Sequence, residues 1–230
     1  MLHLVARASR IRIVNAVAVL GLAAALGPAT HAQFGPPATT QVHDPAALRP
    51  PAGARVAIVE FEDMECPDCA AANPLLKEAS EKYHIPWVRH DFPLPFHAWS
   101  FQAAVNARWF DLKGKKLGDE YRDTIFANQA SFGEDPARME DFTQKWASQH
   151  GIAFPFNVDP QGRLAAEVKA DYALGQRVGI EHTPTIWVVT DHSKGAPFVE
   201  VVDRSKLYQL IDQALDDTRV SASGPRHSGR

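Results

Sequence analysis

The sequence predicts an α/β domain: a sheet covered on its faces, with a helical insertion between its second and third strands. Three observations carry this. Short apolar, β-branched runs stand near both ends of the domain. Segments of helical period alternate with them, the order expected when helices cover both faces of a sheet. Residues 97–178, between the runs, carry only helical punctuation.

The chain of 230 residues opens on a stretch that reads as an export signal. Arg7, Arg10 and Arg12 precede an apolar run, Val14 to Leu26, which Gly27 and Pro28 break. "THA" at 30–32 ends in a small residue suited to cleavage after Ala32. The run is shorter than the roughly 20 residues of a comfortable membrane span, and an uncleaved anchor is the alternative. Residues 1–32 are therefore expected to be a signal peptide, and the mature chain to be periplasmic or secreted, where disulfides persist. Losing the three arginines takes the formal charge from −3 to −6, which argues against nucleic acid or an anionic membrane surface as a partner. Residues 33–54 read as a Pro/Ala-rich arm, and 218–230 as a disordered tail.

"RVAIVEF" (55–61) is a buried strand ending in a carboxylate. Residues 67–83 have a helical pattern, with Ala70, Leu75, Leu76 and Ala79 available for one face. Pro74 inside it removes the hydrogen bond to the Ala70 carbonyl. "PWVRHDF" (86–92) is the second strand. In the insertion, 97–112 spaces Ala98, Phe101, Val105 and Trp109 at steps of three and four. A second helix covers 118–129; 135–151 and 159–179 each begin with Asp–Pro and end at glycine. Leu164, Val168 and Tyr172 mark the last of these. Strands return at "TIWVV" (185–189) and "PFVEVV" (197–202). Ser205 can cap a final helix carrying Leu207, Leu210, Ile211 and Leu215. The core is thus expected over 55–96 and 179–217, with the insertion over 97–178.

The only two cysteines, Cys66 and Cys69, flank Pro67 and Asp68 where the first strand turns into the first helix. Residues three apart on a helix have Cβ atoms about 5–6 Å apart, close to what a disulfide accepts. Pro67 suits the first helical turn, where a missing N–H costs nothing. Cys66 stands where unpaired N–H groups and the helix dipole favour an anion, which makes it the expected nucleophile. Cys69, one turn in, is expected to be more buried and to act as the resolving thiol. A structural staple is the weaker reading, because so short a loop gains only roughly 2 kcal/mol against about 4.7 for a loop of 100 residues. A metal site, with His90 or His97 recruited to the two thiolates, is the rival, although no histidine has zinc-finger spacing to them.

Two further features fit redox chemistry. Glu60, in an apolar strand six residues before Cys66, could be desolvated and relay a proton to or from Cys69; an outward-facing glutamate is the alternative. Thr183–Pro184 directly precedes a core strand, a position for a cis proline or for an ordinary trans one.

Together, "CPDC" after a strand, Pro74, the helical block and "TP" before a late strand resemble the thioredoxin superfamily, and most of all exported disulfide oxidoreductases of the DsbA kind. The likeness runs over about 53–216, and "FPLPFHAWSFQAA" (92–104) looks like the family's way into its insertion. The resemblance implies a thioredoxin-like fold and a thiol:disulfide oxidoreductase with no cofactor beyond its own dithiol. It implies Cys66 as attacking and Cys69 as resolving cysteine, with Glu60 the buried acid beneath them. Thr183 and cis-Pro184 would flank the disulfide and pair with a substrate peptide as an added strand. Its partners would be unfolded exported proteins and a redox protein that recycles the dithiol. The arm is too short and Pro-rich for a dimerisation module, so a monomer is expected. A metallochaperone on the same fold remains the alternative. His97 has no role beyond a place at the start of a helix. One departure concerns tuning: the strong oxidants carry histidine where this chain has Asp68, with Glu62, Asp63 and Glu65 nearby. These acids are expected to hold the Cys66 pKa well above the ~3.5 of the strongest oxidant.

Overall fold

A computed structural model describes residues 39–191 and 197–221. The expected signal peptide and its cleavage site, the start of the arm and residues 222–230 lie outside them. Among the described residues, four strands form one mixed sheet in the order β2–β1–β3–β4. They are β1 (Val56–Glu62), β2 (Trp87–Asp91), β3 (Thr185–Thr190) and β4 (Phe198–Glu200). β1 runs parallel to β2 and antiparallel to β3, and β3 is antiparallel to β4. The parallel pair needs a crossover, supplied by α1 (Pro67–Tyr83).

All seven residues of β1 are buried, so both its faces are covered. Alternation along the strand sends Ala57, Val59 and Phe61 to one side, against Trp187, Val189 and Val178. Val56 and Ile58 face the other, against Ala72, Leu76 and Ala79 of α1 and Leu207 and Ile211 of α6 (Leu207–Ser221). Glu60 and Glu62 continue this second face, which places two carboxylates under the head of α1. Cys69, Ala72, Asn73, Leu76 and Ala79 form the buried stripe of α1, while Pro74 is exposed.

Between β2 and β3 lie α2 (Ser100–Asp111), α3 (Lys115–Phe132), α4 (Pro136–Gln149) and α5 (Arg163–Val178). The inner face of α2 is only partly the expected one: Val105 is buried and Trp109 packs against the helical cluster. Ala98 and Phe101 are exposed, while Trp99, Ala103, Ala107 and Phe110 are buried. The small alanines let α2 and α3 approach closely, and packing rather than side-chain size chooses the face. α5 begins at Arg163, later than its Asp–Pro signal, and the Asp159 carboxylate accepts a hydrogen bond from the Ala165 N–H at 2.8 Å. Its first half, Leu164 and Val168, packs in the helical cluster, and its second half, Tyr172 and Val178, on the sheet. The insertion therefore merges with the core before residue 178. Gly175 makes this possible, because a Cβ there would meet the Phe92 ring at 2.5 Å.

Two ends also differ from expectation. The described part of the arm is bound to the domain. Leu48 is buried, His43 N–H donates to the Val178 carbonyl at 2.9 Å, and Thr40 donates twice to Glu200. α6 continues to Ser221 with Thr218 buried, four residues into the expected disordered tail. Asp203, rather than Ser205, caps the turn that leads into it, accepting from the Ser205 N–H at 2.9 Å.

Candidate active site

Cys66 is the N-cap of α1 and Pro67 its first residue. The loop from β1 is tightly held. Cys66 N–H donates to the Asp63 carbonyl at 3.0 Å, and Gln129 Nε2 donates to the carbonyls of Met64 and Cys66 at 2.8 and 3.1 Å. Both cysteines are free thiols, and their side chains lie within hydrogen-bonding reach of each other. Cys69 is 0% exposed, whereas Cys66 keeps 7%, so of the two only Cys66 offers surface to an incoming group.

The environments push the two thiols in opposite directions. The Cys66 pKa is lowered to about 6, first by the hydrogen bond from Cys69; burial opposes this, and the Thr183 side chain and the backbone N–H groups of Cys69 and Asp68 assist. The Cys69 pKa is raised well above its ordinary value by burial first, then by giving its proton toward Cys66 and by the charge of Glu60. The Asp63 N–H donates to Cys69 Sγ at 3.4 Å.

Opposite Cys66 stands the loop before β3. The Thr183–Pro184 peptide bond is cis, and Cys66 Sγ lies 3.3 Å from the Thr183 carbonyl, to which only the protonated thiol can donate. Thr183 Oγ1 is buried with no acceptor or donor at ordinary hydrogen-bonding geometry, so it is available to the sulfur. A cleft of about 160 Å³ opens here, lined by Asp68, His182, Thr183, Pro184, Val201 and Arg204. Glu60 is fully buried, so it is not an outward-facing strand residue. It accepts from Trp87 Nε1 at 3.0 Å, and burial above all, then the neighbouring Glu62 charge, holds its pKa well up.

The acids expected to crowd the Cys66 thiolate are mostly turned away from it. Glu62 is held by Arg89 through contacts of 2.8–3.0 Å. Asp63 accepts from the Leu94 N–H at 2.6 Å and faces His97 Nδ1 at 2.7 Å, which gives His97 a partner that the sequence did not suggest. Glu65 Oε2 accepts from the N–H groups of Trp99 and Ser100 at 2.7 and 3.1 Å, capping α2. The Asp68 carboxylate is exposed and lies 3.8 Å from Arg204, whose Nη1 donates to the Asp68 carbonyl at 2.9 Å. Asp68 therefore bears on Cys66 through its backbone N–H. Gln129 and Arg204 were missed by sequence reasoning. Neither belongs to a motif, and each lies more than sixty residues from the loop it holds.

The capping geometry makes a prediction. Glu65→Ala strips two N–H groups of a charged acceptor and should cost about 1–2 kcal/mol. The measurement is the urea midpoint at unchanged slope; a loss below about 0.5 kcal/mol would remove Glu65 as the cap.

Residues 51–205 match the family model described as Thioredoxin. The fold is shared with alpha-DsbA1 of Wolbachia pipientis at TM-score 0.61 and 12% identity, over 76% of this chain and 92% of that one. It is shared with the thiol-disulfide exchange protein alpha-DsbA2 of the same organism at 0.56 and 17%, over 72% and 84%. Pseudomonas aeruginosa DsbA2 aligns at 0.53 and 23%, over 78% and 98%. At these identities the likeness is one of fold. No curated protein matches the chain by sequence.

Proposed function

The chain belongs to the thioredoxin family, and from that premise we propose that it is a thiol:disulfide oxidoreductase of exported proteins, working by reversible closure of Cys66 and Cys69 into a disulfide. The observation that carries this is the opposed displacement of two adjacent thiols. One is an anion at neutral pH beside a cleft, and the other is a buried, protonated reserve. With a pKa of about 6, Cys66 is about nine-tenths thiolate at pH 7.

In this reading Cys66 attacks and Cys69 resolves. Glu60 exchanges a proton with Cys69, and Pro67 starts the helix that presents Cys66. Thr183 and Pro184 hold an extended substrate segment in the cleft. The substrates are unfolded or partly folded exported proteins with cysteines, and a separate redox protein recycles the dithiol. The signal-like leader places this work in the periplasm or outside the cell, and the protein acts as a monomer.

The pKa bears on the reduction potential and on stability. A value of about 6 lies between the ~3.5 of the strongest oxidant of this fold and the ~7 of thioredoxin. The reduction potential is accordingly expected between about −120 and −270 mV. The Cys66 pKa is depressed in the folded protein. Its contribution to the stability of the reduced form is therefore complete above the ordinary thiol value of 9.0 and is lost as the pH falls through about 6.

The test combines that potential with turnover on a reduced, unfolded protein. A potential in this range with catalysed disulfide formation or exchange supports the proposal. No turnover, together with tight copper or zinc binding by the reduced thiols, would replace it with a metal carrier.

A further inference from the structure

Glu60 is not alone beneath the dithiol. Glu62, two residues on, projects from the same face of β1 and is equally buried. Arg89 pairs with Glu60 in the strand register and is itself almost sealed, its side chain 4% exposed. Its guanidinium meets Glu62 at two points: Nε lies 3.0 Å from both carboxylate oxygens and Nη2 lies 2.8 Å from one. The same group lies 4.2 Å over the ring of Trp87, whose N–H donates to Glu60. Arg89 Nη2 also donates to Asn73 Oδ1 at 3.1 Å, on the turn of α1 that follows Cys69. Arg122 adds a second cation, its Nε 3.8 Å from Glu62. Glu62 thus faces two guanidinium groups, whereas Glu60 accepts a neutral indole N–H.

We propose that Glu62 and Arg89 are positioning residues for Glu60: the clamp fixes Arg89 and Trp87, occupies Glu62 with two guanidinium groups, and leaves Glu60 as the carboxylate that takes and returns the Cys69 proton. This rests on the reading of Glu60 as the acid that serves Cys69. In the resolving step the Cys69 thiol gives its proton to the Glu60 carboxylate. The freed sulfur pair attacks Cys66 Sγ of the mixed disulfide, the bond from Cys66 to the substrate sulfur breaks, and the substrate leaves as a thiolate. The Cys66–Cys69 disulfide forms, and Glu60 later returns its proton to solvent.

The groups around Glu60 set the sign of its response. Glu62 on β1 and Cys66 at the head of α1 favour its protonated form beyond what burial does, while Arg89 on β2 favours the charged one. Cys69 of α1 is coupled to it through its own proton. The Glu62 pKa is itself raised, by burial above all and by Asp91 on β2, while Arg89 and Arg122 on α3 draw it back; Asp111 of α2 and Asp123 of α3 are paired behind the arginines.

Glu62→Gln removes the like charge and leaves Arg89 facing Glu60. The Glu60 midpoint should fall by about one pH unit or more. Adding Arg89→Met removes the opposing charge, and the midpoint should climb back by a similar amount. Arg89→Lys in the otherwise unchanged protein keeps the charge and should stay near the parent value. Two readouts follow it in the reduced protein: the carboxyl carbon resonance absent from Glu60→Gln, and the pH profile of the second thiolate released from an aromatic disulfide. Opposite shifts in the single and double variants support the proposal, since mere loosening of the site would move both the same way. An unmoved midpoint in Glu62→Gln, with Glu60→Gln still slowing the second release, overturns it alone. If Glu60→Gln leaves the second release and its pH profile intact, the role of Glu60 itself is wrong.

Discussion

Cys66→Ser is expected to lose thiol–disulfide exchange almost entirely, by roughly 10³-fold or more, while the fold survives. The substitution exchanges a sulfur of pKa about 6 for a hydroxyl that stays protonated at neutral pH. Nothing nearby can take over. Cys69 is sealed, and its pKa is pushed well up by burial. Cys69→Ser should behave differently. It keeps the Cys66 sulfur and removes the thiol proposed to release it, so substrate should accumulate on Cys66 as a mixed disulfide. Mass spectrometry of the trapped species under non-reducing conditions checks both. A Cys69→Ser protein that turns over normally, or a Cys66→Ser protein that traps substrate, would reverse the assignment. Cys69→Ser should also raise the Cys66 pKa, since the Cys69 thiol supplies the largest stabilising hydrogen bond; serine can replace part of it, alanine none.

The second large effect falls on stability. Arg122→Met should cost about 3–5 kcal/mol. The Arg122 side chain is 4% exposed and holds both oxygens of Asp111, at 2.9 and 2.7 Å. Truncation to an apolar chain of similar length keeps the packing but leaves Asp111 without its partner and Glu62 with one cation fewer. Close packing around the pair compounds this, for a Cβ on Gly118 would stand 1.9 Å from Asp111 Oδ1. Gly118→Ala is therefore expected to reproduce part of the loss. Denaturant unfolding measures both, and a loss below about 1 kcal/mol for Arg122→Met would show that water or a rearranged Asp111 replaces the pair.

The parts of the site carried by local pattern were legible in the sequence. "CPDC" at a strand-to-helix turn located the dithiol and its unequal members, and "TP" before a core strand located the loop that faces Cys66. Burial of Glu60 followed from an apolar strand, although the sequence alone left an exposed glutamate open. What escaped was wherever a side chain finds a distant partner. Glu62, Asp63 and Glu65 read as a cloud of charge around the thiolate because Arg89, His97 and the N–H groups of Trp99 and Ser100 lie 27 to 35 positions away. Part of the expected buried face of α2, Ala98 and Phe101, was misread for a related reason. Its large residues suggested one stripe, and close helix packing on Ala103 and Ala107 selected another. The low Cys66 pKa comes from local donors; the charges weighed from sequence do not set it.

The account depends on the two thiols being held at different protonation levels, and thiolate ultraviolet absorbance of the reduced protein against pH measures that directly. It should show one group titrating with a midpoint of about 6, absent from Cys66→Ser, and no second thiolate until well above 9.0. Two thiols titrating together near the ordinary value would contradict it.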